Sequence, residues 1–148
     1  MRALLQRVSR AEVTVGDEAV GVAGRGLVVL LGVGPVDTAE VAEGLARRTA
    51  ELRIFDDEAG RTNLSLLDIG GDALVVSQFT LYADTSRGRR PGFTGAASPD
   101  LAERLYERYA EVLRGLGVRV ATGRFGAVMA VELVNDGPFT IWLDTDAR

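Results

Sequence analysis

Leu27-Val28-Val29-Leu30-Leu31 is the stretch that decides the fold of this chain. Valine and leucine fill it without alternating with polar residues, which is typical of a strand buried on both faces. Gly24-Arg25-Gly26 before it and Pro35 after it indicate turns. Such a strand belongs to a sheet that is covered on both sides, so the sequence predicts a domain in which helices and strands pack in layers.

Strand patterns continue on both sides of this run. Residues 3–15 and 19–22 precede it, and five later segments have the same character, namely residues 53–55, 73–76, 118–122, 128–134 and 139–143. Turn-forming residues separate the last two segments, so they are expected to be two strands joined by a loop.

Two main helices are predicted between the strands. The first follows Asp37-x-x-Glu40, which resembles a capping box and precedes an amphipathic stripe. The second begins at Ser98-Pro99, with Ser98 as the N-cap. It repeats apolar residues at helical spacing up to Leu116, and Gly115 and Gly117 mark its end. No internal repeat, low-complexity segment or linker interrupts the pattern, so residues 1–148 are expected to form one α+β domain.

The composition excludes several reaction classes. The chain has no His, no Cys and no Lys, so all 17 cationic side chains are Arg. A Ser-His-Asp triad, a Cys nucleophile, a zinc site built from Cys or His, and a Schiff-base lysine are therefore impossible. No Asp/Glu cluster has the spacing of a known metal-binding loop, and neither a metal nor another cofactor is expected. An enzyme of this composition must use hydroxyls, amides, carboxylates, Arg and backbone groups.

The net charge of -4 provides no overall attraction to nucleic acid, so an RNA contact needs a local cluster of cations. Ser86-Arg87-Gly88-Arg89-Arg90-Pro91-Gly92-Phe93 is such a cluster. Arg87, Arg89 and Arg90 either contact phosphates or form an ordinary solvated surface. The apolar runs are too short for a signal-peptide core or a membrane span, so we expect a cytoplasmic protein without a membrane partner.

Ser77-Gln78-Phe79-Thr80-Leu81 follows the apolar strand at residues 73–76. We call its first four residues the polar wall. Three of them, Ser77, Gln78 and Thr80, have hydroxyl or amide groups that provide hydrogen-bond donors and acceptors without charge. They either line a binding site or mark a strand that leaves the core with its hydroxyls bonded to backbone.

Asn135-Asp136-Gly137-Pro138-Phe139-Thr140 is a second segment with unusual properties. Gly137 has no Cβ, so a ligand can approach its backbone closely. Pro138 has no N–H and is the residue type that adopts a cis peptide bond at modest cost. The pair can direct carbonyl oxygens toward a ligand; the alternative is a plain hairpin loop.

Four motifs in this order resemble the bacterial D-aminoacyl-tRNA deacylase family, also called D-tyrosyl-tRNA deacylase. They are Ser77-Gln78-Phe79-Thr80-Leu81, Arg90-Pro91-Gly92-Phe93, Thr122-Gly123-Arg124-Phe125-Gly126 and Asn135-Asp136-Gly137-Pro138. The resemblance implies a homodimer with a mixed, barrel-like sheet. It also implies a proofreading carboxylic ester hydrolase that releases a D-amino acid from tRNA, needs no cofactor and accepts glycyl-tRNA mischarged on tRNA-Ala.

The resemblance also implies a role for each site residue. Gly137 and Pro138, joined by a cis bond and inserted from the partner subunit, would hold the substrate's α-amino group and leave no room for an L side chain. The remaining roles are substrate binding by Met129, catalysis by Ser77, Gln78, Phe79 and Thr80, and tRNA binding by Arg87, Arg89 and Arg90.

The role of Thr80 has two interpretations, a nucleophile or a residue that positions the ester. A Thr hydroxyl needs an activating base, and this chain has no His or Lys to provide one. We therefore favour attack by water with help from the substrate's own 2′-hydroxyl, with Gln78, Thr80 and the backbone near Phe79 positioning the ester. The rival classes are a non-catalytic module that binds nucleic acid or amino acids, and a purely structural domain.

Overall fold

The computed structural model describes residues 1–147 of the chain. In chain order its elements are β1 (Arg2–Val15), β2 (Glu18–Ala23), β3 (Gly26–Gly32), α1 (Ala39–Glu51), β4 (Phe55–Asp56), β5 (Thr62–Leu64), α2 (Leu66–Ile69), β6 (Asp72–Ser77), a 3₁₀ turn (Phe79–Tyr82), α3 (Pro99–Gly115), β7 (Arg119–Thr122) and β8 (Ala130–Asp144). No helix among these is both long enough and apolar enough to cross a membrane.

The main sheet mixes antiparallel and parallel neighbours. Its strand order is β2-β1-β3-β6-β7, and β8 pairs with the other side of β1. β1 is antiparallel to β2, β3 and β8, whereas β3 with β6 and β6 with β7 are parallel pairs. Parallel neighbours require long crossover connections, and α1 and α3 lie within these two crossovers.

The sheet curls until its two ends, β2 and β7, approach each other. A Cβ built on Gly21 of β2 would lie only 2.5 Å from the carbonyl oxygen of Thr122 at the end of β7. Only glycine leaves room for so close an approach. The prediction of one α+β domain with a barrel-like sheet and two main helices is confirmed.

The buried side chains form two clusters on opposite faces of β3. Leu27, Val29 and Leu31 belong to a cluster that also contains residues of α1 and α3. Val28 belongs to a second cluster, whose buried residues all come from strands. The prediction that this strand is buried on both faces is therefore confirmed.

The start of α1 differs from the prediction. Thr38 is the N-cap, and its hydroxyl accepts a hydrogen bond from the Val41 N–H at 3.3 Å. The carboxylate of Asp37 instead accepts hydrogen bonds from the Gly34 N–H at 2.6 Å and from the Met1 amino group at 2.9 Å. The predicted capping box at Asp37 was wrong because two partners outside the helix hold that side chain.

The last strand, β8, also differs from the prediction. β8 is one continuous strand where the sequence predicts two strands and a loop, and both of its halves pair with β1. Gln6 pairs with Thr140 and Val8 with Asn135, so Arg7 alone stands opposite residues 136–139. We call residues 136–139 the bulge; such insertions bend a strand and direct its backbone away from the ladder.

Candidate active site

A cavity of about 570 Å³ opens where β6 leaves the sheet. The carboxyl end of a parallel strand is a common place for a binding site, since the loops that follow diverge there. The residues that line the cavity are Val76, Ser77, Gln78, Phe79, Phe93, Ala96, Ala97, Pro99, Ala102, Phe125, Gly126, Ala127, Met129 and Val131. None of these has an ionisable side chain. The cavity is therefore mainly apolar, with a few neutral polar groups that can orient a ligand.

The polar wall forms because β6 leaves the sheet at Ser77. The Gln78 N–H still donates to the Leu31 carbonyl oxygen at 2.8 Å, and the 3₁₀ turn begins at the next residue. The Gln78 amide donates to the Thr80 hydroxyl. The structure thus brings Ser77, Gln78 and Phe79 to the cavity, while Thr80 is exposed and is not among the lining residues.

Phe93 connects the cavity to the segment that carries the arginine cluster. Its ring lies edge-on against Phe79, with ring centroids 5.1 Å apart. Just before it, Asp84 and Gly92 exchange two backbone hydrogen bonds of 2.7 and 2.9 Å. These bonds close residues 85–91 into a loop, which we call the arginine loop, whose base lies beside the cavity.

The arginine loop is rich in free cations. Arg87, Arg89 and Arg90 are exposed, and in the described part of the chain none of them forms an ion pair. The nearest carboxylate in sequence, Asp84, is bonded to Ser86. Hydrogen bonding by Ser86, through its side chain and its backbone N–H, holds the pKa of Asp84 below its ordinary value, so it remains ionised at neutral pH.

The opposite side of the cavity contains Phe125 and Met129. Phe125 packs against Tyr106 of α3, whose hydroxyl donates to the Val75 carbonyl oxygen at 3.2 Å. Burial raises the pKa of Tyr106, so it stays a neutral structural group at physiological pH. Met129 is half-buried and packs against the strand cluster that contains Val28.

Gly137 and Pro138 lie in the bulge and are not part of this cavity. Their peptide bond is cis, the geometry that the family resemblance implies. Both residues are exposed, and neither lines the cavity of its own chain. Of the predicted site residues, the cavity therefore unites Ser77, Gln78, Phe79 and Met129 and does not include Gly137 or Pro138.

Arg7 holds the bulge in place, and the sequence analysis missed it. Its side chain is only 6% exposed, and its guanidinium donates to three backbone carbonyl oxygens, of Ile54 at 2.8 Å, Asp136 at 3.1 Å and Gly137 at 3.3 Å. It also stacks over the Phe139 ring at 4.4 Å. The rigid fork of a guanidinium suits such simultaneous contacts.

Asn135 completes this support. Its amide donates to the carbonyl oxygen of Arg7 at 2.9 Å and to that of Phe139 at 3.1 Å. The sequence does contain one indication of Arg7, which is its position in β1. Arg7 lies on the same face of the strand as the buried residues Ala3 and Leu5. A buried charge in such a place needs partners. Besides the three carbonyl oxygens, the carboxylates of Asp136 at 3.1 Å and Asp56 at 3.7 Å pair with this guanidinium.

Residues 1–147 contain no group of three or more Asp, Glu, His or Cys side chains placed to hold a metal ion. The polar groups that line the cavity are the Ser77 hydroxyl, the Gln78 amide and backbone groups.

The known proteins to which this chain is similar in sequence include one family and its members. The family described as D-Tyr-tRNA(Tyr) deacylase matches residues 4–144. The D-aminoacyl-tRNA deacylase of Roseiflexus sp. (strain RS-1) is 65% identical over 98% of this chain and 94% of its own length. That of Lacticaseibacillus casei (strain BL23) is 54% identical over the full length of both.

Two solved structures share the fold. The c-Myc DNA Unwinding Element Binding Protein has a TM-score of 0.92 and 42% identity, and the match covers 99% of this chain and 100% of that one. A probable eukaryotic D-amino acid tRNA deacylase has a TM-score of 0.86 over 96% of this chain and 97% of its own, and its 22% identity supports the fold alone.

Proposed function

The chain belongs to the D-aminoacyl-tRNA deacylase family and is a hydrolase of D-aminoacyl-tRNA, and we propose that it acts as a homodimeric proofreading enzyme in the cytoplasm. In this proposal it cleaves the ester between a D-amino acid and the terminal adenosine of tRNA, and it also deacylates glycyl-tRNA mischarged on tRNA-Ala. Family membership favours the enzyme over the non-catalytic binding module and the structural domain.

The observation that carries the proposal is a cavity lined only by uncharged side chains. The α-ammonium group of an aminoacyl ester needs acceptors when it leaves water, because a buried unpaired charge is very costly. The carbonyl oxygens of Gly137 and Pro138 in a second subunit would be such acceptors. The Gly137 oxygen already accepts from Arg7, but a carbonyl oxygen can accept two hydrogen bonds.

Recognition by backbone carbonyls explains the proposed substrate range. The carbonyls contact the α-amino group and the α-carbon, so binding does not depend on which D side chain the substrate carries. An L side chain would point into the space that Gly137 and Pro138 occupy. Glycine has no side chain to exclude, so glycyl-tRNA is accepted.

Exposed apolar side chains support the proposed homodimer. Val131, Val134 and Trp142 of β8 are 36%, 40% and 48% exposed, and Phe79 of the polar wall is 55% exposed. Within residues 1–147, β8 pairs only with β1, so its other edge has no strand partner there. Open apolar edges are usually covered in native proteins, and a second copy of this chain would cover this one.

The proposed substrate range is tested by deacylation assays on three substrates. We expect comparable rates on D-tyrosyl-tRNA and on D-aspartyl-tRNA, together with hydrolysis of glycyl-tRNA. Activity on D-tyrosyl-tRNA alone would contradict recognition through the backbone, because it would show that the side chain is read.

Catalysis in this proposal depends on positioning rather than on a protein nucleophile. The N–H groups of Phe79 and Thr80 open the 3₁₀ turn, where helical geometry provides no acceptor, and they are available to a developing oxyanion. Attack then comes from water, assisted by the 2′-hydroxyl of the terminal adenosine.

Thr80→Ala is therefore expected to retain activity within about tenfold of wild type, the value of one neutral hydrogen bond. The reason is that the Thr80 hydroxyl lies outside the cavity lining and has no base beside it. Single-turnover deacylation of D-tyrosyl-tRNA measures the effect, with circular dichroism as the check on folding. A rate equal to the uncatalysed one, or a trapped acyl-Thr80 intermediate, would establish the nucleophile instead.

Replacing Arg87, Arg89 and Arg90 together by Ala is expected to weaken tRNA binding. Three unpaired cations on one loop beside the cavity are placed to contact the phosphates of the acceptor end. The slope of log K against log salt concentration should become less steep by up to about three units, roughly one for each phosphate contact that is lost. The single-turnover rate at saturating enzyme should change little.

A matched control for this triple variant replaces Arg47 and Arg48 of α1 and Arg61 of the loop before β5, which are also exposed. It should leave the salt dependence unchanged. Equal slopes for wild type and the arginine-loop variant would assign the loop to ordinary solvated surface.

A further inference from the structure

Gly123 follows β7 directly and lies against the side chain of Met129. A Cβ built on Gly123 would be 2.5 Å from the Met129 sulfur and 3.7 Å from its ε-carbon. Non-bonded carbon and sulfur atoms in contact are about 3.5–4 Å apart. A methyl group at position 123 and Met129 in its present position therefore exclude each other.

Space, and not backbone conformation, is what requires glycine here. The φ angle of Gly123 lies outside the left-handed region, so alanine can adopt the same backbone. The backbone is also fixed in place, because the Gly123 N–H donates to the carbonyl oxygen of Val75 in β6 at 3.2 Å. That bond sets the spacing between Gly123 and the strand that ends in the polar wall.

We propose that Gly123 is a positioning residue of the deacylase, which acts through Met129. By having no side chain, it gives the Met129 thioether a place beside the backbone and so keeps the cavity wide enough for the aminoacyl end of the substrate. This inference rests on the proposed function of the cavity, and it assigns a role to a residue that does not itself line that cavity.

The packing around Met129 determines which way it would move. On its inner side it packs against the strand cluster that contains Val13, which is fully buried and lies 3.8 Å from the Gly123 Cβ position. Its other side faces the cavity. Methionine is unbranched and flexible, so a group placed at position 123 would push the thioether about 1 Å or more into the cavity without unfolding the chain.

The test in activity is Gly123→Ala. We expect KM for D-tyrosyl-tRNA to rise roughly tenfold or more, as for a methylene added to an apolar pocket, with a smaller change in kcat. Gly44→Ala is the matched control, because a Cβ at Gly44 would meet nothing within 4 Å and the residue is exposed on α1. It should leave both constants unchanged.

A double-mutant cycle with Met129 separates this role from a merely structural one. In a Met129→Ala background there is no thioether to displace, so adding Gly123→Ala should cause no further rise in KM. A wild-type KM for Gly123→Ala, or the same rise in the Met129→Ala background, would overturn the inference.

A spectroscopic readout tests the geometry without activity. The chain has 2 methionines, so ε-methyl carbon-13 labelling reports on Met1 and Met129 alone. Gly123→Ala should shift the Met129 signal and leave that of Met1 in place. An unmoved Met129 signal would contradict the inference, whereas wild-type protein without activity on D-tyrosyl-tRNA would contradict the proposed function instead.

Discussion

Gly137→Ala is expected to lower the rate of D-tyrosyl-tRNA hydrolysis by about 100-fold or more, the scale of a misplacement near 1 Å at a reacting centre, while the fold stays intact. Among residues 1–147, a Cβ at Gly137 would meet only the Asn135 side-chain oxygen at 3.9 Å, which is ordinary contact. The added methyl therefore acts on whatever faces Gly137 from outside the chain. In the proposed dimer that is the α-carbon of the substrate in the partner's cavity.

Three measurements make this result interpretable. Single-turnover deacylation gives the rate, thermal unfolding shows that the fold survives, and light scattering after gel filtration shows that the dimer survives. Gly44→Ala provides the matched glycine substitution at an open helical position. Wild-type activity of Gly137→Ala, with fold and dimer intact, would contradict the proposed filter.

Arg7→Ala is expected to have the second large effect, a loss of stereospecific activity of about 100-fold. The guanidinium donates to the Ile54, Asp136 and Gly137 carbonyl oxygens and also pairs with the Asp136 carboxylate at 3.1 Å. Without it these oxygens lose their partner, and we expect the free energy of unfolding to fall by about 1–3 kcal/mol. Because the bulge loses its support, Gly137 is no longer held in one orientation.

Arg10→Ala is the matched control on the same strand. Arg10 is 65% exposed and pairs with Glu132 at 3.0 Å, and exposed pairs of this kind contribute little to stability. Arg7→Lys should fall between wild type and Arg7→Ala, since a single ammonium cannot reproduce the planar fork. An Arg7→Ala protein that is less stable but still discriminates fully between D- and L-tyrosyl-tRNA would show that Arg7 supports the fold alone.

The parts of the fold that local patterns determine could be predicted from the sequence. The β3 run is apolar without alternation, and the structure buries it between two clusters. The start of α3 follows from Pro99 at its first position, although Ser98 makes no capping hydrogen bond through its side chain. In each case the deciding residues are neighbours in the sequence.

The parts that depend on distant partners could not be predicted. The segment around Gly137 reads locally as a turn, yet β1, more than 120 positions earlier, pairs with both halves of β8 and makes it one strand. Asp37 reads as a helix cap, yet the amino group of Met1 and the Gly34 N–H hold it. Tertiary contacts outweighed local propensity at both places.

The same distinction holds for the candidate site. The polar wall was recognisable because neutral polar residues directly follow a buried strand, and three of its four members line the cavity. Arg7 was not recognisable as part of the site, because its carbonyl partners at positions 136 and 137 lie across the sheet. The close approach of Gly123 to Met129 likewise becomes visible only in three dimensions.

The most direct test of the central claim compares hydrolysis of D-tyrosyl-tRNA and L-tyrosyl-tRNA by the purified wild-type protein. The same tRNA preparation carries both amino acids, so any difference in rate reports on chirality alone. We predict rapid release of D-tyrosine, with L-tyrosyl-tRNA lost no faster than in buffer without protein. Equal rates on the two substrates would contradict the account.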